Sequence, residues 1–190
     1  MTMSVFSRSR FNIIVYFYFL LVPFQLWASN NAVEKEYISS KDYISSSFGA
    51  DIVKPRILWI TKDIRPEVIK ILRRSNFPLR YRYYKKGQRS VWVLNETGKV
   101  MPITTAITIE NDMIIDLTVL TYRESHGSEI RFPAYTNQFN NTKLTEKMTL
   151  SKPINGISGA TLSTNAMKKV SRLALYLHSV VMKKNVTSAK

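Results

Sequence analysis

The chain has 190 residues, of which 45% are hydrophobic and 22% charged; this is globular composition and excludes a disordered or low-complexity chain. It contains no cysteine, which excludes disulfides, thiolate metal sites and a lipid-anchoring lipobox. Its formal net charge of +15 steers it toward anionic partners or a lipid surface.

The N-terminus reads as a targeting segment. Arg8 and Arg10 precede an apolar run over residues 11–26, FNIIVYFYFLLVPFQL, and Ala28 and Ser29 supply small residues after it. The run is shorter than the roughly 20 apolar residues of a spanning helix, and Pro23 interrupts it. We expect residues 1–28 to be a signal peptide cleaved near Ala28, giving a periplasmic or extracytoplasmic product. An uncleaved membrane anchor is the alternative. Loss of Arg8 and Arg10 leaves 26 basic against 13 acidic residues, a net +13. Residues 73–89 carry seven basic residues and no acid, and no acid follows Glu146. Tyr81, Tyr83 and Tyr84 among these cations suit nucleic acid, but export argues against it. A solvated basic face is the alternative to an anionic or membrane-bound partner.

Residues 29–87 read as an N-terminal helical and strand region packed on a main domain over residues 88–184. Ser40 or Asp42 is placed to cap a short helix that Gly49 ends. ILWI, residues 57–60, is strand-like. A helix follows with Asp63 as its cap and Pro66 in its first turn. Ile64, Val68, Ile71 and Leu72 share one face, and Arg73 and Arg74 complement the C-terminal dipole. At Leu79 the period becomes two: Leu79, Tyr81 and Tyr83 alternate with Arg80, Arg82 and Tyr84. Lys86-Gly87-Gln88 then turns the chain into SVWVL at 90–94. Trp92 is either core or a cover for an aromatic ligand. Gly98 and Pro102 break the pattern. Strands at 103–109 and 113–122 form a second hairpin around Glu110-Asn111-Asp112, rich in β-branched residues. FPAYTNQF, 132–139, is a short helix or turn that packs Tyr135 and Phe139, and 143–153 connects to the final segment. There Ala166, Val170, Leu173, Ala174, Leu177 and Val181 line one face of a helix, with Lys168, Lys169 and Arg172 toward water.

Just before that helix stands INGISGATLST, residues 154–164. Ser158-Gly159-Ala160 is a small-residue turn that delivers Thr161 to a helix start. Free N–H groups and the positive dipole end make a phosphate seat there. Read from residue types alone, Thr161 is first of all an ordinary N-cap. Ser158-Gly159-Ala160-Thr161, followed by Leu162-Ser163-Thr164, resembles the flavinylation motif of the FMN-binding domain family. That family is typified by covalent-flavin subunits of sodium-pumping NADH:quinone oxidoreductase and Rnf-type electron transport complexes. The resemblance extends over residues 88–179 and implies an α+β fold, with antiparallel β-hairpins forming a sheet packed against helices and a long C-terminal helix after the motif. It implies FMN held through its phosphate on Thr161 and installed by a separate flavin transferase, with Ser158, Gly159, Ala160, Leu162 and Ser163 around it. In the segment 122–130, YRESHGSEI, it implies that Glu124 and Gly127 lie near the flavin. His126 in this turn is either a proton relay or a solvated loop histidine. The family usually places Asp three residues before the motif serine. Here Asn155 stands in its place, a difference that bears on recognition by the transferase.

His126 and His178 are the only histidines, and neither a catalytic triad nor a phosphate-binding glycine fingerprint occurs, so no catalytic side chain and no metal ligand is assigned. A cofactor that brings its own chemistry fits that poverty. The expected function is an exported electron-carrying flavoprotein. The alternatives are an FMN-dependent reductase of a small acceptor and a non-redox module at a membrane surface.

Overall fold

The tyrosine–arginine alternation after residue 79 becomes a strand because one side of it has a core to face. In the computed structural model, which describes residues 35–49 and 51–187, β3 (Arg80–Lys86) buries Tyr81 and Tyr83 and exposes Arg80 and Arg82. Leu79 departs from the expected alternation and is 61% exposed, because the strand begins only at Arg80. The expected signal segment lies outside the described residues. β1 (Lys35–Glu36), β2 (Arg56–Trp59), β4 (Arg89–Thr97), β5 (Pro102–Glu110) and β6 (Met113–Tyr122) complete the sheet. It is antiparallel throughout, in the order β1-β6-β5-β4-β3-β2. Both hairpins predicted from periodicity are present. In the second, Asn111 and Asp112 take φ of 51° and 62°, the two left-handed residues of a tight turn that matches strand twist.

One sheet face carries the main core, in which Tyr81, Tyr83, Trp92, Leu94, Ile103, Ile107 and Leu117 pack with the helices. The long α4 (Thr161–Thr187) lies over it and buries all six residues of its predicted apolar face. The other face is covered by α1 (Ser40–Phe48), through Tyr43 and Phe48 against Val91, Ala106 and Leu120. Central strands buried on both faces explain the continuous β-branched runs. Tyr43 anchors α1, its hydroxyl donating to Asp116 Oδ2 at 2.6 Å and lying 2.9 Å from Thr108 Oγ1. Burial first, then the Asp116 charge, pushes its phenol pKa up.

Several local expectations shift. Ser39, one residue earlier than Ser40, caps α1 by accepting from Asp42 N at 3.1 Å. Asp63 does not occupy the cap of α2 (Arg65–Leu72); Ile64 does, without a side-chain hydrogen bond. Ile64 is buried, and Thr61 O accepts from the amides of Ile64 and Arg65. Apolar burial therefore sets the entry to this helix, and a polar cap does not. Arg74 does not serve the helix dipole. Its guanidinium reaches the buried Glu96 carboxylate at 2.7 Å, and Lys169 Nζ approaches the same group at 3.4 Å. Lys168, Lys169 and Arg172 are consequently half-buried and do not simply face water. Among the described residues no helix is long and apolar enough to cross a membrane.

Candidate functional site

Trp92 takes no part in a surface site. It is fully buried, stacks on Tyr83 with ring centroids 4.9 Å apart, and donates its indole N–H to Ser90 Oγ at 2.8 Å.

The site is built at the start of α4. Ala160 N donates to Ile157 O at 3.0 Å, closing the turn through Ser158 and Gly159, which has φ 78°. Ala160 O then accepts from Thr164 N at 2.9 Å, the first bond of the helix. Ala160 therefore occupies the cap position and Thr161 the first helical one. An alanine supplies no side-chain acceptor, so this helix start lacks the polar cap that most helices carry. Its leading N–H groups and the positive end of the dipole remain available to an anion. No acidic residue stands in the first turn to compete. Thr161 and Leu162 are exposed, whereas Ser163 and Thr164 point inward and are buried.

The turn after β6 closes the other side. Gly127 takes φ 81°, and a Cβ added there would lie 2.8 Å from Ala160 Cβ; only glycine lets the two segments approach this closely. Tyr122 at the end of β6 ties them together. Its hydroxyl hydrogen-bonds to the His126 carbonyl and lies 3.3 Å from Ser163 Oγ. Burial is the main reason its phenol pKa is raised. Glu124 does not point into the helix start. Its Oε1 accepts from the backbone amides of Lys99, Val100 and Met101 at 2.6, 2.8 and 3.1 Å, and so holds the β4–β5 connection in place. Gly98 permits this, since a Cβ there would meet Glu124 Oε1 at 2.8 Å.

The three segments enclose an open cleft of about 660 Å³. Its walls include Glu124, Gly127, Ser158, Gly159, Ala160, Thr161, Leu162 and Ser163, the residues that the resemblance places around the flavin. The cleft is within the usual size of small-molecule sites. Lys99 adds a cation, and the exposed Val100 and Leu162 add apolar surface. His126 is exposed, with Nδ1 2.8 Å from Ser125 Oγ, as expected of the solvated alternative. Asn155 is outside the cleft wall, its amide donating to Gln138 Oε1 at 2.8 Å. Among the described residues no group of three His, Asp or Glu side chains is placed to hold a metal.

Sequence reading missed Tyr122, Gly98 and the 99–101 amides. Gly98 registered only as a break in strand pattern. Nothing in the spacing shows that a carboxylate 25 residues beyond Lys99 caps the turn that Gly98 begins.

These residues fit a phosphate-bearing planar cofactor. The cleft offers an uncapped helix start for the phosphate, an exposed hydroxyl beside it, and apolar rim surface for a ring system. A comparison with curated protein sequences gives no match. Among solved structures, the chain is similar to the crystal structure of NqrC from Shewanella oneidensis, with a TM-score of 0.55 and 12% identity. The similarity covers 76% of this chain and 88% of that one. The likeness establishes the α+β fold with its long C-terminal helix. The family described as FMN-binding domain matches residues 98–176, the stretch that contributes all three walls of the cleft.

Proposed function

We propose that this chain is an exported electron-carrying flavoprotein whose FMN is esterified through its phosphate to Thr161. The observation that carries this reading is the start of α4, where an exposed threonine hydroxyl stands at an uncapped helix N-terminus inside the cleft. FMN, when bound, supplies one- and two-electron transfer. The chain's own residues do the rest. The helix start and Lys99 offset the phosphate charge, and Thr161 Oγ1 forms the new bond to phosphorus, with net loss of one water. Glu124 and Gly127 hold the opposing wall, while Val100 and Leu162 offer apolar cover. A flavin transferase performs the attachment, and an anionic or membrane-bound protein exchanges the electrons. We read residues 88–184 as the FMN-binding domain, 29–87 as a region packed on it, and 1–28 as a signal peptide that directs the domain outside the cytoplasm.

The test is co-expression with a flavin transferase. The wild type should stay yellow after denaturation and gel filtration, with a mass equal to chain plus FMN less water. Thr161→Ala should lose both properties and remain folded, and Thr164→Ala, altering a buried neighbour, should keep them. A colourless wild type under these conditions defeats the proposal. N-terminal sequencing of the exported product checks cleavage near Ala28.

A further inference from the structure

A second depression, of about 510 Å³, lies on the other side of Leu162. It runs between the first turns of α4, the C-terminal end of α2 and the connection at 149–154. Leu162 borders both this depression and the proposed flavin cleft, and Gly98 borders the depression. Arg73, Lys152, Lys168, Lys169 and Arg172 line it, and no acidic residue does. Lys169 is answered by Glu96. Lys152 and Arg172 meet neutral acceptors. Lys152 Nζ donates to Asn140 O at 3.1 Å, and Arg172 donates to Lys168 O and Ile71 O at 3.3 Å. Among the described residues no carboxylate pairs with Arg73, Lys152, Lys168 or Arg172.

Two features make this more than a solvated basic face. Arg73 follows α2 in the left-handed conformation, φ 56° and ψ 36°, where glycine or asparagine is the usual choice. A long cation therefore occupies a position at which its own Cβ is a steric cost. It stands close to Arg172, whose guanidinium pKa is pushed down by burial first and by the Arg73 charge second. Two like charges thus share one concavity with no counter-charge. That raises the local potential, and guanidinium forks match the paired oxygens of phosphate and carboxylate.

We propose that this cleft binds a multiply charged oxyanion, a small molecule bearing phosphate or carboxylate groups. Its location beside the flavin rests on the reading of Thr161 given above; the anion site itself does not. The site names a substrate class for the alternative in which the flavoprotein reduces a small acceptor.

Isothermal titration of the exported protein with pyrophosphate and with citrate, at ionic strength held constant with sodium chloride, tests the site. Saturable one-to-one binding of at least one probe is expected, and their relative affinities separate phosphate from carboxylate chemistry. Arg73→Gly should weaken binding about tenfold or more, the loss of a charge-assisted hydrogen bond. Its melting temperature should hold, because glycine suits the left-handed backbone. Lys62→Ala, a cation outside the cleft, should bind as the wild type does. Heat no larger than that of sodium chloride alone, or unchanged affinity in Arg73→Gly, overturns the proposal. Thr161→Ala made without flavin should bind equally, so a failure of flavinylation leaves this result standing. In flavinylated protein the bound probe should perturb the flavin absorbance. Binding without that perturbation removes the site from the flavin's neighbourhood.

Discussion

The two ends of α4 are built to opposite plans. Toward its C-terminus His178 is 1% exposed, and both of its ring nitrogens face a polar partner. Trp92 Nε1 can only donate, so Ser90 Oγ accepts from it and turns its own proton to His178 Nδ1, 2.7 Å away. That assigns the remaining proton to Nε2, which faces Asp112 Oδ1 at 3.5 Å. At the N-terminal end, Ala160 supplies no cap, no acid stands in the first turn, and Thr161 is open to solvent. The same helix is closed where it holds the sheet and open where it borders the cleft. Stability and ligand binding therefore make different demands on one element. Buried donors must be satisfied within the protein, while donors meant for a ligand must not be.

The closed end should show itself in acid. Burial, ahead of the attraction of Asp112 and the repulsion of Lys85, lowers the His178 pKa from 6.5 to about 4. A lowered folded-state pKa means that the unfolded chain takes up the proton first. Stability from this group is whole above pH 6.5 and is lost as pH falls toward 4, by a total of about 3 kcal/mol. Urea titrations at pH 7 and pH 4 on wild type and His178→Gln should differ by about that amount in their acid loss. Equal acid losses would mean that this end is not closed.

Next in size are the contacts that shape the open end. Gly127→Ala forces a Cβ against Ala160 at positive φ and should cost about 1–3 kcal/mol, together with a reduced flavinylated fraction. Glu124→Ala removes the acceptor of three amides on a partly exposed loop. It should cost about 1 kcal/mol and speed amide exchange at 99–101. The smallest pair sharpens the comparison most. Ser39→Ala deletes a real cap on α1 and should cost about 1 kcal/mol. Thr161→Ala in flavin-free protein should change stability by less than about 0.5 kcal/mol, since Thr161 does not cap α4. A Thr161→Ala loss as large as that of Ser39→Ala would make the threonine an ordinary structural residue.

Local pattern carried much of the architecture. Alternation at 80–84, β-branched runs at 103–109 and 113–122, and the 3.6-residue stripe at 166–181 each report what a segment buries, and each held. Ser158-Gly159-Ala160-Thr161 likewise marked the start of α4, because a small-residue turn into a helix is itself a local event. Where local rules failed, tertiary burial had overruled them. Ile64 displaced Asp63 at the entry to α2 because its side chain has a core to enter. Arg74 left the helix end because Glu96, buried on a neighbouring strand, required a counter-charge.

By itself, then, the sequence determined the strands after residue 56, the helices α1, α2 and α4, and the threonine at the open start of the last. Only the tertiary structure decided that Glu124 secures the amides of 99–101, that Tyr122 links the 122–127 turn to Ser163, and that Arg73 and Arg172 face one cleft. Periodicity and turn chemistry depend on neighbours a few residues away, so they can be read along the chain. These contacts join residues 23 to 99 positions apart, and their distances exist only once strand register and helix packing have closed the core.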